Sequence, residues 1–262
     1  PSRGLGDVYK RQVTCPMRAM IFAAGLGTRL HPLTLSRPKA LVEIAGKTAL
    51  ERAIEAVIDA GAREIVVNVH HFATMVIDFI GNKDWKVPIR ISDESALLLD
   101  TGGGLLKARP MLDNSDGEPI LIHNADIVTD IPLKKMKLDG ADIRLLTSNR
   151  ESSRRLTFDM NGRLTGWRNL QTGETKGKPD PDDKALSFGG IHLVSPAIFE
   201  VLEKYAPANT PFSLTPFYIA NVEKLDIRCW QQPGGTRWHD IGRPTTLESA
   251  RNDFADLHIS KQ

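Results

Sequence analysis

Short apolar runs alternate with helical patterns through the first half of this chain, and few folds accept that order. Met20–Phe22, Ile65–Val69, Ile89–Ser92, Pro119–His123 and Ile143–Thr147 read as buried strands. Between the first two, Thr48-Ala-Leu-Glu51 forms a capping box. It opens a helix with Leu50, Ile54, Val57 and Ile58 on one face and Gly61 at its end. Phe72–Ile80 reads as a second helix, stopped by Gly81, and a third is expected after Gly102-Gly103-Gly104. Strands alternating with helices predict an α/β protein of three layers, α/β/α, with a mostly parallel central sheet. Right-handed crossovers bring the C-terminal ends of such strands to one edge. Ala23–Arg29, His70-His71 and Asn124–Asp126 are therefore predicted to face one crevice.

The second half is less regular. Leu156–Asp159 and Arg163–Trp167 around Asn161-Gly162 predict a hairpin, and the polar stretch 170–184 reads as a loop. Leu186–Val194 and Ile227–Gln231 read as strands, Pro196–Lys204 and Leu214–Glu223 as helices. A last helix follows Pro244, opened by Thr245-Thr-Leu-Glu248. With 262 residues, 41% of them hydrophobic, residues 17–262 suffice for a single domain with a real core. Residues 1–16 show no periodicity and are expected to be a non-native or disordered tail, with Met17 the natural start.

Net charge is +2 with no single-sign block, which argues against nucleic acid or a charged membrane surface as partner. No apolar run approaches the roughly 20 residues of a membrane span. Two cysteines, Cys15 and Cys229, make neither a disulfide framework nor a zinc motif and fit a reducing cytoplasm. Nothing in the composition fixes the oligomeric state, monomer or homodimer.

Residues 20–41, MIFAAGLGTRLHPLTLSRPKAL, carry the densest chemistry. A buried strand ends in Ala23-Ala24-Gly25, followed by Gly27, Arg29 and, after a loop, Pro38-Lys39. Glycines let backbone approach an anion, Arg29 adds a planar donor fork and Lys39 a compact charge. Together they describe a nucleoside triphosphate site. The dinucleotide fingerprint fails, because Leu30 stands where its third glycine belongs. The P-loop reading of Gly46-Lys47-Thr48 fails as well, with Leu41 at its first glycine. Adjacent His70 and His71 point to opposite faces of a strand and cannot readily chelate one ion.

The run A-A-G-L-G-T-R-L-H-P-L-T through P-K-A-L resembles the signature of the sugar-nucleotidyltransferases, the nucleotide-diphospho-sugar pyrophosphorylases, and the resemblance extends from Met17 to about Leu257. It implies their Rossmann-like fold and their reaction, in which a nucleoside triphosphate and a sugar 1-phosphate give a nucleotide diphospho-sugar and pyrophosphate. It implies that Ala23, Ala24 and Gly25 meet the base, and that Gly27, Thr28, Arg29 and Lys39 hold phosphates. Thr101, Gly102 and Gly103, in Leu98-Leu-Asp-Thr-Gly-Gly-Gly104, take the position that helps read the base. His123-Asn-Ala-Asp126 resembles the family's Asn-Gly-Asp. Trp238-His-Asp-Ile-Gly-Arg-Pro244 resembles its Trp-x-Asp-[Val/Ile]-Gly-Thr-Pro, with Arg243 for Thr. These matches imply Asp126 and Asp240 as ligands of Mg²⁺. Asn124, Trp167, Asn169 and Gly190 fall where sugar contacts are expected.

The Gly-rich variant at 102–104 most resembles the subgroup of N-acetylmuramate-1-phosphate uridylyltransferase and mannose-1-phosphate guanylyltransferase-like proteins. UTP with an amino-sugar 1-phosphate is the implied pair. GTP with mannose 1-phosphate, or a catalytically silent nucleotide-sensing relative, are the alternatives. A glycosyltransferase is disfavoured because Asp126 and Asp130 lack Asp-x-Asp spacing.

Overall fold

The structure is a computed structural model that describes residues 17–112 and 117–259, and the expected tail 1–16, with Cys15, lies outside the described residues. In chain order the first strands are β1 (Met17–Phe22), β2 (Glu43–Ile44), β3 (Lys47–Thr48), β4 (Ala62–Val69), β5 (Ile89–Asp93), β6 (Ile120–Asn124) and β7 (Ile127–Thr129). They are followed by β8 (Ile143–Ser148), β9 (Arg154–Phe158), β10 (Leu164–Asn169), β11 (Thr175–Gly177), β12 (Lys184–Val194), β13 (Ile227–Gln231) and β14 (Trp238–Asp240). The helices are α1 (Ala49–Asp59), α2 (Ala73–Gly81), α3 (Asp100–Leu112), α4 (Ile198–Tyr205), α5 (Leu214–Ala220) and α6 (Pro244–Ile259).

The main sheet is mixed. Its parallel centre is β6-β1-β4-β5, and β12 joins it antiparallel at β6. Helices cover both faces, which is why β1 and β4 carry apolar residues without polar alternation. On β1, Ala19 and Ile21 pack toward α1 and α2 while Met20 packs toward α3, α4 and α5. Successive strand residues point to opposite faces, so one short apolar run serves both cores. A third cluster sets Leu247, Ala250 and Phe254 of α6 against Leu30, Ile44, Val128 and Ile241. Leu30 is fully buried there and anchors the residue next to Arg29. That anchoring explains a leucine at a position where a dinucleotide loop would need glycine.

Helix α1 begins as its capping box predicts, with the Thr48 hydroxyl accepting from the Glu51 N–H at 3.1 Å. Thr48→Ala is expected to lower the unfolding free energy by about 1 kcal/mol in denaturant titration, with no change in m-value.

The glycine run 102–104 does not precede α3 but lies inside its first turns. The reason is tertiary. A Cβ on Gly102 would stand 2.2 Å from the Phe212 ring, and one on Gly103 2.4 Å from the Thr210 carbonyl oxygen. Both glycines are there to let the 210–212 segment close over the helix. The polar stretch 170–184 contains the short edge strand β11, paired with β10. Helix α5 ends at Ala220, earlier than expected, where the Asn221 side chain donates to the Phe217 carbonyl at 2.9 Å. Strand β12 is long and bends: Lys184–Leu186 pair with β9, Ile191–Val194 with β6, and the register shifts at the Gly189-Gly190 step between them.

Two histidines sit in the core where β6 and β12 pair. His123 donates Nδ1–H to the Asn124 carbonyl at 2.9 Å, and the Tyr218 hydroxyl lies 2.8 Å from His192 Nδ1. Burial lowers His123 to about 4, and burial with the neighbouring His123 lowers His192 to about 3. Each is neutral when folded but takes a proton when unfolded below about pH 6.5. Their contribution is therefore complete above that pH and is lost as pH falls toward 4. Unfolding free energy should drop by about 2–3 kcal/mol between pH 6 and pH 5, and the slope should halve in His192→Gln, read by thermal melts across pH.

Candidate active site

The crevice lies at the C-terminal edge of the parallel strands. Asp126 sits in the tight turn between β6 and β7, held by Ala125 N–H donating to the Phe22 carbonyl at 3.0 Å. Strands β7 and β14 pair antiparallel with Asp240 opposite Ile127, and the Ile241 N–H donates to the Asp126 carbonyl at 3.0 Å. This short ribbon brings two distant carboxylates side by side.

Lys39 stands between them. Its ammonium lies 2.5 Å from Asp126 Oδ2 and 3.7 Å from Asp240 Oδ1, and the residue is only 8% exposed. Gly27 makes this possible. It adopts φ of +67°, and a Cβ there would press on Lys39 Cβ at 3.0 Å. Gly25, by contrast, faces open space and needs no left-handed conformation. Arg29 completes the cluster around Gly242, where an added Cβ would meet Asp240 Oδ1 at 2.7 Å, Arg29 Nη2 at 2.8 Å and Lys39 Nζ at 3.1 Å. Two cations and a carboxylate thus converge around Gly242.

Three cavities meet at this edge. One of about 440 Å³ is lined by Ala23, Ala24, Gly25, Thr101, Asn124 and Asp126. A second, about 930 Å³, contains Asn124, Trp167, Asn169 and Arg150, and shares Thr101 with the first. A third, also about 930 Å³, holds Arg29, Arg150, Asp240 and Arg243.

Most of the residues anticipated from sequence therefore converge, but Gly27, Thr28, Gly102, Gly103 and Gly190, with His70 and His71, line none of the three cavities. Gly102 and Gly103 lie beneath the floor, both N–H groups directed to the Phe212 carbonyl, at 2.7 and 3.3 Å. Gly190, φ +70°, is buried under Asn124, whose amide nitrogen is 3.1 Å from where a Cβ would be. Its small size supports Asn124 rather than touching the crevice. Thr28 forms the 3₁₀ turn that presents Arg29 and lines none of the three cavities. Asp130 is turned away, accepting from Arg237 N–H at 2.6 Å and Nε at 2.7 Å.

Residues the sequence reading passed over support the site from below. Asn68 accepts the Ala23 N–H at 2.8 Å and donates to buried Glu94 at 2.8 Å, which also accepts the Leu99 N–H at 3.1 Å. This chain fixes Ala23 against the start of α3. Glu94 follows a strand at the crevice edge, the same signal that singles out Asp126. Arg150, beyond β8, stacks on Trp238 with its guanidinium carbon 3.7 Å from the ring centroid. Burial lowers its pKa to about 10, and Asp240 opposes that shift.

The donor set suits a small divalent cation. Mg²⁺ takes one or two carboxylates and completes its shell with phosphate oxygens and water, and Asp126 and Asp240 already face one cationic centre. Among the described residues no group of three or more His, Cys, Asp or Glu side chains is arranged to hold a metal, and no helix is long and apolar enough to cross a membrane.

Comparison with known proteins agrees with this geometry. The family model described as Nucleotidyl transferase matches residues 18–142. The chain is 42% identical over 249 residues to N-acetylmuramate alpha-1-phosphate uridylyltransferase of Caulobacter vibrioides, covering 92% of this chain and 98% of that protein. It is 28% identical over 255 residues to mannose-1-phosphate guanylyltransferase catalytic subunit beta of Dictyostelium discoideum, covering 94% of this chain and 67% of that protein. The fold matches a UDP-glucose pyrophosphorylase solved with UDP-glucose, at a TM-score of 0.72 and 19% identity, over 92% of this chain and 99% of that one.

Proposed function

The chain belongs to the nucleotidyl transferase family, and on that premise we propose that it joins a nucleoside triphosphate, UTP, to an amino-sugar 1-phosphate. The observation that carries the reading is the charge cluster of Arg29, Lys39, Asp126 and Asp240 at the meeting of the cavities. The choice of UTP and an N-acetylmuramate-like sugar is supported by the 42% identity to a uridylyltransferase across nearly its whole length. GTP with mannose 1-phosphate is the second reading, supported by the guanylyltransferase relative. Residues 17–262 act as one catalytic unit, and the scarcity of cysteine suits a reducing, cytoplasmic setting.

A phosphate oxygen of the sugar 1-phosphate attacks the α-phosphorus. The bond from that phosphorus to the bridging oxygen breaks, and pyrophosphate departs with the electron pair. The nucleophile is already anionic near neutral pH, since a phosphate monoester has a second pKa around 6. The residues therefore position and neutralise rather than abstract a proton. Ala23–Gly25 and Thr101 receive the nucleoside. Arg29 neutralises the β- and γ-phosphates, and Lys39 reaches the α-phosphate. Asn124, Trp167 and Asn169 face the sugar. Asp126 and Asp240 would hold Mg²⁺, which when bound supplies Lewis-acid charge to the phosphates.

Pyrophosphate release with UTP, GTP, dTTP and ATP, each paired with N-acetylmuramate, mannose or glucose 1-phosphate, tests the reading. Turnover is expected to be fastest for UTP with N-acetylmuramate 1-phosphate. Absence of pyrophosphate from every pair would refute transfer. A best rate with GTP and mannose 1-phosphate would select the second reading.

A further inference from the structure

Among the described residues, Arg150 alone lines both the cavity holding Trp167 and Asn169 and the cavity holding Arg29 and Asp240. It lies at the passage between them. Its guanidinium is fixed on two sides, by the Trp238 ring and by an Nη2–H donated to the Phe188 carbonyl. Trp238 is itself pinned, Nε1–H donating to the Gly189 carbonyl at 2.8 Å. The Arg150 carbonyl accepts from Ser187 Oγ at 2.9 Å and from Arg155 Nη2 at 3.3 Å. The group is held in place, yet Nη1 is buried without a hydrogen-bond partner among the described residues. A rigid guanidinium that lines both cavities is suited to an oxyanion. Lys176, on the same cavity wall, is already paired with Glu174 at 3.4 Å.

From this placement we infer that Arg150 grips the phosphoryl group of the incoming sugar 1-phosphate and orients it toward the Lys39 and Asp240 cluster. The inference rests on the transferase reading above. A sugar seated beside Trp167 whose phosphate enters the cavity of Arg29 and Asp240 passes Arg150 on the way. A carboxylate on the sugar ring would be the other oxyanion able to use the same donor, and the test separates the two.

Calorimetric titration of the full chain with Mg²⁺ present compares wild type with Arg150→Met and Arg150→Lys. The titrants are N-acetylmuramate 1-phosphate, mannose 1-phosphate, unphosphorylated N-acetylmuramate and UTP. In Arg150→Met, affinity for both sugar 1-phosphates should fall about 10- to 100-fold, the scale of one or two charge-assisted hydrogen bonds, with UTP affinity within about twofold of wild type. Arg150→Lys keeps a charge but not the planar fork, so it should recover only part of the loss. Should Arg150→Met fail to fold, the lysine variant carries the same comparison, with a loss of at least about fivefold expected for the sugar 1-phosphates alone. In steady state the Michaelis constant for sugar phosphate should rise while that for UTP holds. Unchanged sugar 1-phosphate affinity, or an equal loss for UTP, overturns the inference while leaving transfer intact. Loss confined to N-acetylmuramate with and without phosphate, sparing mannose 1-phosphate, overturns it in favour of carboxylate recognition. Wild-type protein that binds no sugar 1-phosphate would instead refute the transferase reading itself.

Discussion

Lys39→Ala is expected to lower kcat/KM by about 30- to 1,000-fold, equivalent to about 2–4 kcal/mol of transition-state stabilisation. The side chain is buried, its stem packed against Gly27 and its ammonium 2.5 Å from Asp126 Oδ2 and 3.7 Å from Asp240 Oδ1. A preorganised charge of this kind needs no rearrangement as the reaction proceeds, so its loss is felt in the barrier. The same contacts predict a second and opposite effect. In the ligand-free protein the ammonium offsets the repulsion of two carboxylates, and its removal leaves that pair facing each other. Mn²⁺ titration of Lys39→Ala should therefore show tighter binding than wild type even as turnover collapses. Lower thermal stability should accompany it, because removing one partner of a buried ion pair strands the other. A rate within about twofold of wild type, or weaker Mn²⁺ binding in the variant, would contradict the role assigned to Lys39. Arg at this position is no substitute, since a planar fork does not fit the space a compact ammonium fills.

The parallel centre of the fold was legible because β1 and β4 are buried on both faces, and burial of that kind writes a nearly continuous apolar run, interrupted in β4 by Asn68. The capping box at Thr48 was legible because its chemistry is local. What stayed hidden depends on partners far along the chain. Gly102–Gly104 look like a loop, and only Phe212 and Thr210 explain why glycines occupy the first turns of a helix. Strand β11 is polar and exposed at the sheet edge, so hydrophobic period says nothing about it. In the candidate site, Asp126 follows a strong strand and could be singled out by position. The adjacency of Asp240 to it comes from the three-residue strands β7 and β14, too short to carry a period of their own. Arg150 had no signal at all. Its interest arises from Trp238 beneath it and a donor left without a partner, and neither appears in the local sequence.

Gly242→Ala should separate the geometry of the charge cluster from the stability of the fold. Gly242 lies two residues beyond Asp240 and donates its N–H to that carboxylate at 2.7 Å. A methyl group there would stand 2.7 Å from Asp240 Oδ1, 2.8 Å from Arg29 Nη2 and 3.1 Å from Lys39 Nζ. All three are side-chain ends rather than backbone, so they can retreat without disturbing the core packed around Ile241. The melting temperature is therefore expected to fall by only a few degrees, since flexible side-chain ends rather than backbone must give way. The retreat nonetheless moves an arginine, a lysine and a carboxylate together, by an amount comparable to the overlap. Displacements near 1 Å at a reacting centre can cost about 100-fold in rate, and a loss of that order in kcat/KM is expected here. The loss should resist saturation with either substrate, because the displaced groups act on the reacting phosphates rather than on the base or the sugar. A variant that melts like wild type and turns over like wild type would mean that these charges do not touch the reacting phosphates.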